Sequence, residues 1–503
     1  MIAKINSFAL SGLNGILLDV EVDINNGLPG FDMVGLPDTA VKESKDRVRS
    51  ALKNSGRTFP IKRVTVNLAP ADVKKEGASL DLAIAIGVLK SSGQLIADTD
   101  GIIFLGELSL DGSLRRVNGV LPTIISAIQK GYNTFIVPEQ NSKEASFVKG
   151  ANVYTATNLT AVLDHLSGLK PLEKVKNFEY DTRAKKVKYD VDMAFVKGQS
   201  VAKRALEIAV SGGHNILFVG APGTGKTMLA KCIPTIMPDM TFTESLETTK
   251  IHSVAGILSD QDGIVYSRPF RSPHHTASTV SLTGGNHDLR PGEISLAHNG
   301  VLFLDEMPEY TRSTLEALRQ PLEDGVITVS RASGAVTYPA NFMLCGSMNP
   351  CPCGNYGSKE KECTCSPAQI QKYASKISGP LLDRIDIRVQ VDEVKYAELV
   401  DKEVGETSEV VRARVNRTRL IQKERFKNDD INANSDMKEK HILKYCKLST
   451  ECEKILENAY KTLHMSPRAR SRVIKVARTI ADMALYEEIR PEHILEAISY
   501  RHD

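Results

Sequence analysis

Nowhere in the 503 residues does an apolar run reach the roughly 18 residues that a membrane-spanning helix needs, so no span is expected. The opening residues, MIAKINSFALSGLNG, lack the apolar core of a signal peptide. Export is therefore not expected, and the chain reads as cytoplasmic. Net charge is also scarce: 64 Lys and Arg stand against 61 Asp and Glu, a formal +3. So small an excess does not identify nucleic acid as a partner, and any basic surface must be local. Without an export signal, the eight cysteines are expected to be reduced or to bind metal rather than to pair as disulfides. The balance of 42% hydrophobic and 25% charged residues is that of an ordinary globular chain. Its length suits about three domains on the usual scale of roughly 100–200 residues each.

What is present is organised around Ile216 to Met228, ILFVGAPGTGKTM. The apolar run Ile216 to Val219 suits a buried parallel strand. It leads into Gly220-Ala221-Pro222-Gly223-Thr224-Gly225-Lys226-Thr227, which fits G-x-x-x-x-G-K-S/T at every fixed position. The glycines let backbone N–H groups turn inward around phosphates, Lys226 reaches the β/γ-phosphates, and the Thr227 hydroxyl binds Mg²⁺. The helix that follows points its positive end at the same anion. This pattern predicts ATP and Mg²⁺ as ligands.

Two further stretches complete a nucleotide site. Gly300-Val301-Leu302-Phe303-Leu304-Asp305-Glu306 is an apolar strand with two carboxylates at its C-terminal end, where ligands bind in open α/β sheets. Asp305 is expected to hold Mg²⁺ and Glu306 to polarise the attacking water. Asn341 to Gly346 reads as a third strand and ends at Ser347-Met348-Asn349. The Asn349 amide is placed to orient that water or the γ-phosphate. Arg384, in Ser378-Gly379-Pro380-Leu381-Leu382-Asp383-Arg384, stands past a short helix at the far edge of this domain. Its guanidinium suits a neighbour's γ-phosphate better than its own, which implies a ring. Arg468, beginning a helix after Ser466-Pro467, is expected to fold over the nucleotide.

Insertions set this domain apart. Val326 to Tyr338 holds two β-branched runs around a Gly-containing turn, a hairpin signal, with Arg331 at its tip. Residues 251–298 read as loop and contain Arg268, Arg271, His274 and His275. The adjacent histidines are expected to make polar contacts rather than hold a metal. Arg331, Arg268, Arg271, His274 and His275 are candidates for gripping DNA phosphates without reading sequence. Cys351-Pro-Cys353 and Cys363-Thr-Cys365 place four thiols within fifteen residues, which suits a tetrahedral Zn²⁺.

The flanks read differently. Residues 1–169 alternate strands and helices as an α+β domain. Residues 170–191 are charged and read as a linker, 192–392 as the nucleotide domain, and 393–503 as helical. The arginine-rich helix Glu409 to Arg425 is expected to be a solvated face with i,i+4 pairs.

Lys75-Glu76-Gly77-Ala78-Ser79 and the stretch from Gly106 through Leu121 resemble the nucleophile and lysine segments of Lon-type proteolytic domains, a ribosomal S5 domain 2-like fold. Ser79 falls on the nucleophile's position, but Leu121 falls on the lysine's. Leucine cannot take a proton, so the domain is expected to be inactive as a peptidase. The longer strings RPFRSPHHTAS, RPGEISLAHNGVLFLDE, RQPLEDG, NPCPCG, SGPLLDRID and VARTIADM resemble the magnesium-chelatase-like AAA+ ATPases of the YifB/ComM type over essentially the whole chain. The resemblance implies an α/β fold: a P-loop AAA+ parallel sheet with a helical lid, preceded by the α+β Lon-like domain. It also implies catalytic roles for Glu306, Asn349, Arg384 and Arg468. A homo-hexameric helicase or branch-migration motor on single-stranded or branched DNA is implied, in recombination or natural transformation. The alternatives are a chelatase-type motor that remodels a protein partner and an ATP-dependent protease.

Overall fold

A computed structural model of the chain describes residues 2–180, 189–259, 263–285, 289–331, 334–358, 361–394, 398 and 405–501. The linker expected over 170–191 therefore lies partly outside the described residues.

The front of the chain is built on a mixed seven-stranded sheet. Its order is Gly30–Val34, Arg63–Ala69, Asn14–Asn25, Ala3–Ser11, Ile102–Phe104, Thr134–Pro138 and Asn152–Ala156. The alternation of the second strand in sequence decides its faces. Leu18, Val20 and Val22 turn to one side and pack under the apolar helix Asp81–Ser91, buried along most of its length. The opposite face, at Phe8 and Leu17, is covered by the helix Val120–Gln129. A strand two residues long in period thus feeds two separate cores, one on each side of the sheet.

The second sheet has five strands, all parallel, in the order Phe270–Arg271, Val301–Leu304, Met343–Met348, Ile216–Val219 and Ile387–Gln390. Helices flank both faces, which is why Val301–Leu304 is apolar and buried at every position. The P-loop strand Ile216–Val219 lies between the strand that leads to Asn349 and the last strand, Ile387–Gln390. The hairpin forms as the β-branched runs predict, Val326–Arg331 against Gly334–Pro339, with Arg331 opposite Gly334.

Residues 251–298 are not simply loop, contrary to expectation. Phe270–Arg271 adds an edge strand beside Val301–Leu302, and short helices form at Thr279–Thr283 and Glu293–Leu296. A two-residue strand is too short to carry a periodic signal.

The C-terminal part is helical: Ser408–Arg425, Glu439–Tyr445, Thr450–Thr462, Pro467–Met483 and Pro491–Ser499. Its core is continuous with that of the nucleotide domain, since Val411, Val415 and Val473 share a cluster with Leu206, Phe218 and Ile233. The expected solvated arginine face is corrected here. Arg414 forks onto Glu207 at 2.6 and 3.0 Å, Arg419 donates to the Val210 carbonyl at 3.3 Å, and Arg425 pairs with Asp482. These arginines tie the lid to other elements rather than to their own helix.

The front domain packs on the nucleotide domain. The helix Val120–Gln129 packs on Phe242–Ala255, where the Ser253 hydroxyl donates to buried Glu144 and accepts from the Gly119 N–H at 3.0 Å. The turn at Gly12 lies on the hairpin so closely that a Cβ there would stand 2.2 Å from Val336 Cγ1.

Candidate nucleotide site

The P-loop closes tightly because of its glycines. A side chain at Gly220 would stand 2.3 Å from the Val391 carbonyl oxygen, and Gly225 takes φ +92°, in the left-handed region, at the cap of the helix Lys226–Ile236. The Lys226 ammonium donates to the Gly220 and Ala221 carbonyls at 2.7 and 2.8 Å and to Asn349 Oδ1 at 3.2 Å. One cation thus connects the P-loop to the strand end expected to sense the γ-phosphate. Burial lowers the Lys226 pKa, and Asp305 and Glu306 oppose that shift.

Thr227 Oγ1 donates to Asp305 Oδ2 at 2.9 Å. A hydroxyl and a carboxylate in direct contact beside the P-loop are the donor set that Mg²⁺ takes in P-loop ATPases. Ser347, which the sequence reading passed over, completes the arrangement. Its hydroxyl donates to Asp305 Oδ1 and accepts from the Glu306 N–H at 3.1 Å. It lies on the central strand, two residues before Asn349. Glu306 itself takes φ 49°, a left-handed conformation uncommon for a residue with a side chain. Its carboxylate is 58% exposed, and His275 Nδ1 stands 3.8 Å away. A cavity of about 410 Å³ opens beside Glu306 and Asn349 and is also lined by Tyr373 and Lys376.

Gln199 donates to the Thr224 carbonyl at 3.3 Å and to the Asp392 carbonyl at 2.5 Å. It straps the P-loop to the end of the last strand.

Arg384 and Arg468 are brought together, away from this cluster. Arg384 donates to the Pro380 carbonyl at 2.8 Å and pairs with Glu323, while Arg468 reaches the same carboxylate at 3.9 Å. Both line a groove of about 870 Å³ that also holds Arg472. Arg468 therefore stands beside Arg384. Asn215, one residue before the P-loop strand, holds the Arg384 carbonyl at 2.9 Å and receives the Leu344 N–H at 2.8 Å. Asp386 accepts from the Asn215 N–H and from Arg472 at 2.6 Å; burial raises its pKa, but Arg472 and His214 hold it well below the usual carboxylate range.

The candidates for gripping DNA separate by their partners. Arg268 is 11% exposed and bonds the Pro238 and Asn299 carbonyls and Glu244, so it braces the fold and is not on offer to a phosphate. Arg271 forks onto Glu293 at 2.6 and 2.7 Å. His274 bonds Thr276 at 2.8 Å and stacks on His275 with ring centroids 4.1 Å apart. Arg331 is exposed and gives its Nε–H to the Gly285 carbonyl at 2.8 Å. The hairpin and the insertion before Asp305 are thereby in contact.

The four cysteines converge. The sulfurs of Cys351, Cys353, Cys363 and Cys365 all lie within 4.8 Å of one another, with separations of 3.3, 3.7 and 3.6 Å among the first three. Backbone N–H groups of Asn355 and Thr364, with the Cys351 thiol, lower the Cys353 thiol to about 5.

Three family models match the chain. "Magnesium chelatase, subunit ChlI" covers residues 192–399, "Subunit ChlI of Mg-chelatase" residues 20–141, and "Magnesium chelatase, subunit ChlI C-terminal" residues 405–501. Competence protein ComM of Haemophilus influenzae is 45% identical over 99% of this chain and 97% of its own length. The uncharacterized protein YifB of Escherichia coli is 44% identical over 99% and 96%. A Lon protease of Trichlorobacter lovleyi is 25% identical over 28% of this chain and 18% of its own.

Proposed function

The chain belongs to the magnesium-chelatase-like AAA+ ATPases of the ComM and YifB type, and from that premise we propose that it is an ATP-hydrolysing, hexameric motor acting on DNA. The observation that carries this reading is the division of one catalytic set between two faces. Lys226, Thr227, Asp305, Glu306 and Asn349 stand together on one side, and Arg384 and Arg468 stand together on another. Neither half is complete for hydrolysis, and a head-to-tail ring joins them.

Mg²⁺, when bound, supplies counter-charge to the phosphate oxygens, and Thr227 and Asp305 are the residues that would hold it. Lys226 holds the phosphates, and Asn349, already in contact with Lys226, orients the water or the γ-phosphate. Glu306 accepts the water's proton, its backbone fixed through Ser347. Arg384 of one protomer neutralises the charge that develops at its neighbour's γ-phosphate, and Arg468 joins it there.

DNA enters through the hairpin. Arg331 is exposed, and its contact with Gly285 joins the hairpin to the insertion whose His275 approaches Glu306. Hydrolysis at Glu306 therefore has a short path to the gripping element. That one relative bears the name of a competence protein agrees with this reading. A protease is opposed by Leu121, which is buried beside Phe8 and Ile124, and by Lys75, whose ammonium is turned to the Pro70 carbonyl. Residues 1–169 then act as a scaffold, joined by the 170–191 linker to a nucleotide domain over 192–392 and a lid over 393–503.

The cysteine cluster is a structural zinc site in this reading. Zn–S bonds of about 2.3 Å in a tetrahedron place sulfurs about 3.8 Å apart, close to the separations present.

The decisive experiment is the ATPase rate with and without single-stranded, duplex and forked DNA. Stimulation by DNA is expected. A rate indifferent to every DNA form, but raised by a protein partner, would replace the DNA motor with a chelatase-type remodeller.

A further inference from the structure

The cysteine loop touches the nucleotide site from two directions. Asn349 and Cys351 are separated by one residue, so the first cysteine pair begins where the central strand ends. The loop then folds back over the P-loop. Gly354, at φ +82°, lies against Pro222 so closely that a Cβ there would stand 2.5 Å from the proline Cδ. Only glycine gives both the left-handed backbone and the space.

The second cysteine pair leads into the other contact. Cys365 directly precedes Ser366, which caps the helix Pro367–Ala374 in a capping box with Gln369. That helix brings buried Tyr373 to the cavity that Glu306 and Asn349 line. Joining the four sulfurs therefore ties together three things: the strand end at Asn349, the stretch that rests on Pro222 and the start of the helix that carries Tyr373. With the sulfurs apart, the loop keeps its bond from Ser358 to Glu393 and the helix end its burial at Tyr373 and the Lys376–Glu309 pair, but nothing joins the two.

We propose that the four-cysteine site is a clamp on the nucleotide pocket, and that zinc bound to Cys351, Cys353, Cys363 and Cys365 sets the affinity for ATP by holding the P-loop and Asn349 in register. This rests on the zinc reading above. The coupling is reciprocal: whatever factor zinc adds to ATP affinity, ATP adds to zinc affinity.

The test measures equilibrium binding of a fluorescent ATP analogue to the full chain, with Mg²⁺ in excess. It is run as purified, after removal of zinc with a zinc-selective chelator, and after zinc is restored. Zinc content and thermal melting are followed in each state. The expected result is a Kd about tenfold weaker on zinc removal, within the usual range for coupled sites, and recovered on re-addition. Gly354→Ala, which pushes the loop off Pro222, should keep about one zinc per chain, bind the analogue more weakly, and lose most of the response to the chelator. Zinc that leaves and returns at constant Kd in a folded protein overturns the clamp and spares the zinc site. Pure protein that contains no metal and takes up none overturns the zinc site and the clamp together.

Discussion

Arg384 gives the sharpest test of a shared active site. In the protomer its side chain is 8% exposed and pairs with Glu323, whose own carboxylate is 55% exposed. A pair with one partner that wet is worth at most about 1 kcal/mol. Arg384→Ala also leaves Glu323 facing Arg468, so the substitution should fold and melt within a few degrees of the wild type. Its cost in turnover is of another order, since removing an arginine finger costs about 10³-fold or more. Glu306→Gln should be equally silent in turnover while still binding ATP and assembling. When the two variants are mixed in equal amounts, an interface works wherever an Arg384→Ala chain supplies the nucleotide site and a Glu306→Gln chain supplies the finger. In a random ring that is about one interface in four, so the mixture should recover roughly a quarter of the wild-type rate against a parental background near one part in a thousand. The assay is steady-state phosphate release on chains carrying different tags, with mixed rings verified by native mass spectrometry. Verified mixed rings that stay at the parental background would refute action in trans.

Three further outcomes follow from named contacts. Glu306→Gln should bind a fluorescent ATP analogue with near wild-type affinity and lose turnover, whereas Lys226→Ala should lose affinity; a Glu306→Gln protein that hydrolyses ATP normally would remove the carboxylate from the mechanism. Asp386→Asn strands half-buried Arg472 without its counter-charge and takes the carboxylate from beside buried His214, which should cost about 3 kcal/mol in denaturant titrations; because the Asp386 pKa is depressed, its contribution is present above the usual carboxylate range and neutral-range pH changes will not mimic the substitution. Glu144 is the opposite case: burial raises its pKa, opposed by Ser253, the Leu121 N–H and Asn141, so the ionised form is disfavoured in the folded chain and stability should rise as pH falls toward the ordinary carboxylate pKa. The melting temperature of wild type relative to Glu144→Gln should accordingly shift in favour of wild type between pH ~7 and ~5, and a constant difference would count against a buried charge at that domain contact.

How much of this was legible beforehand depended on whether a signal was local. Gly220 to Thr227 and Asp305-Glu306 could be read because backbone geometry and phosphate chemistry fix residue types at short spacing. Asn349 and the cysteine pairs were legible for the same reason. Ser347 and Glu323 were not, because a serine on a strand and a glutamate on a helix say nothing of what they face. The arginines of Ser408–Arg425 show the same limit. Their spacing suits a wet face, and their partners Glu207, Val210 and Asp482 come from elsewhere in the chain. That Arg468 stands beside Arg384 and Glu323 was not legible, because a helix start carries no information about which way the lid packs. The strand Phe270–Arg271 was missed because its pairing with Val301–Leu302 is long-range and its length gives no period.

That same distinction between residue type and partner sharpens the expected grip on DNA. By type, Arg268, Arg271 and Arg331 are equal candidates for phosphate contacts. By partner they are not: Arg268 bonds three carbonyls and Glu244, Arg271 forks onto Glu293, and Arg331 is exposed and donates to the Gly285 carbonyl. Each phosphate neutralised on a single strand releases counterions worth a slope of about −0.7 in log affinity against log salt. If Arg331 of every protomer in a hexamer holds one phosphate, its loss should flatten the slope by about 4. Arg331→Ala should thus weaken single-strand binding strongly at low salt and little at high salt, with basal ATPase and assembly intact. Arg271→Ala should behave otherwise, leaving the salt slope unchanged and lowering the melting temperature, because it strands Glu293. Fluorescence anisotropy across a salt series on both variants separates the two roles. A slope that changes with Arg271 and not with Arg331 would move the grip from the hairpin to the insertion and require the Arg271–Glu293 pair to open on DNA.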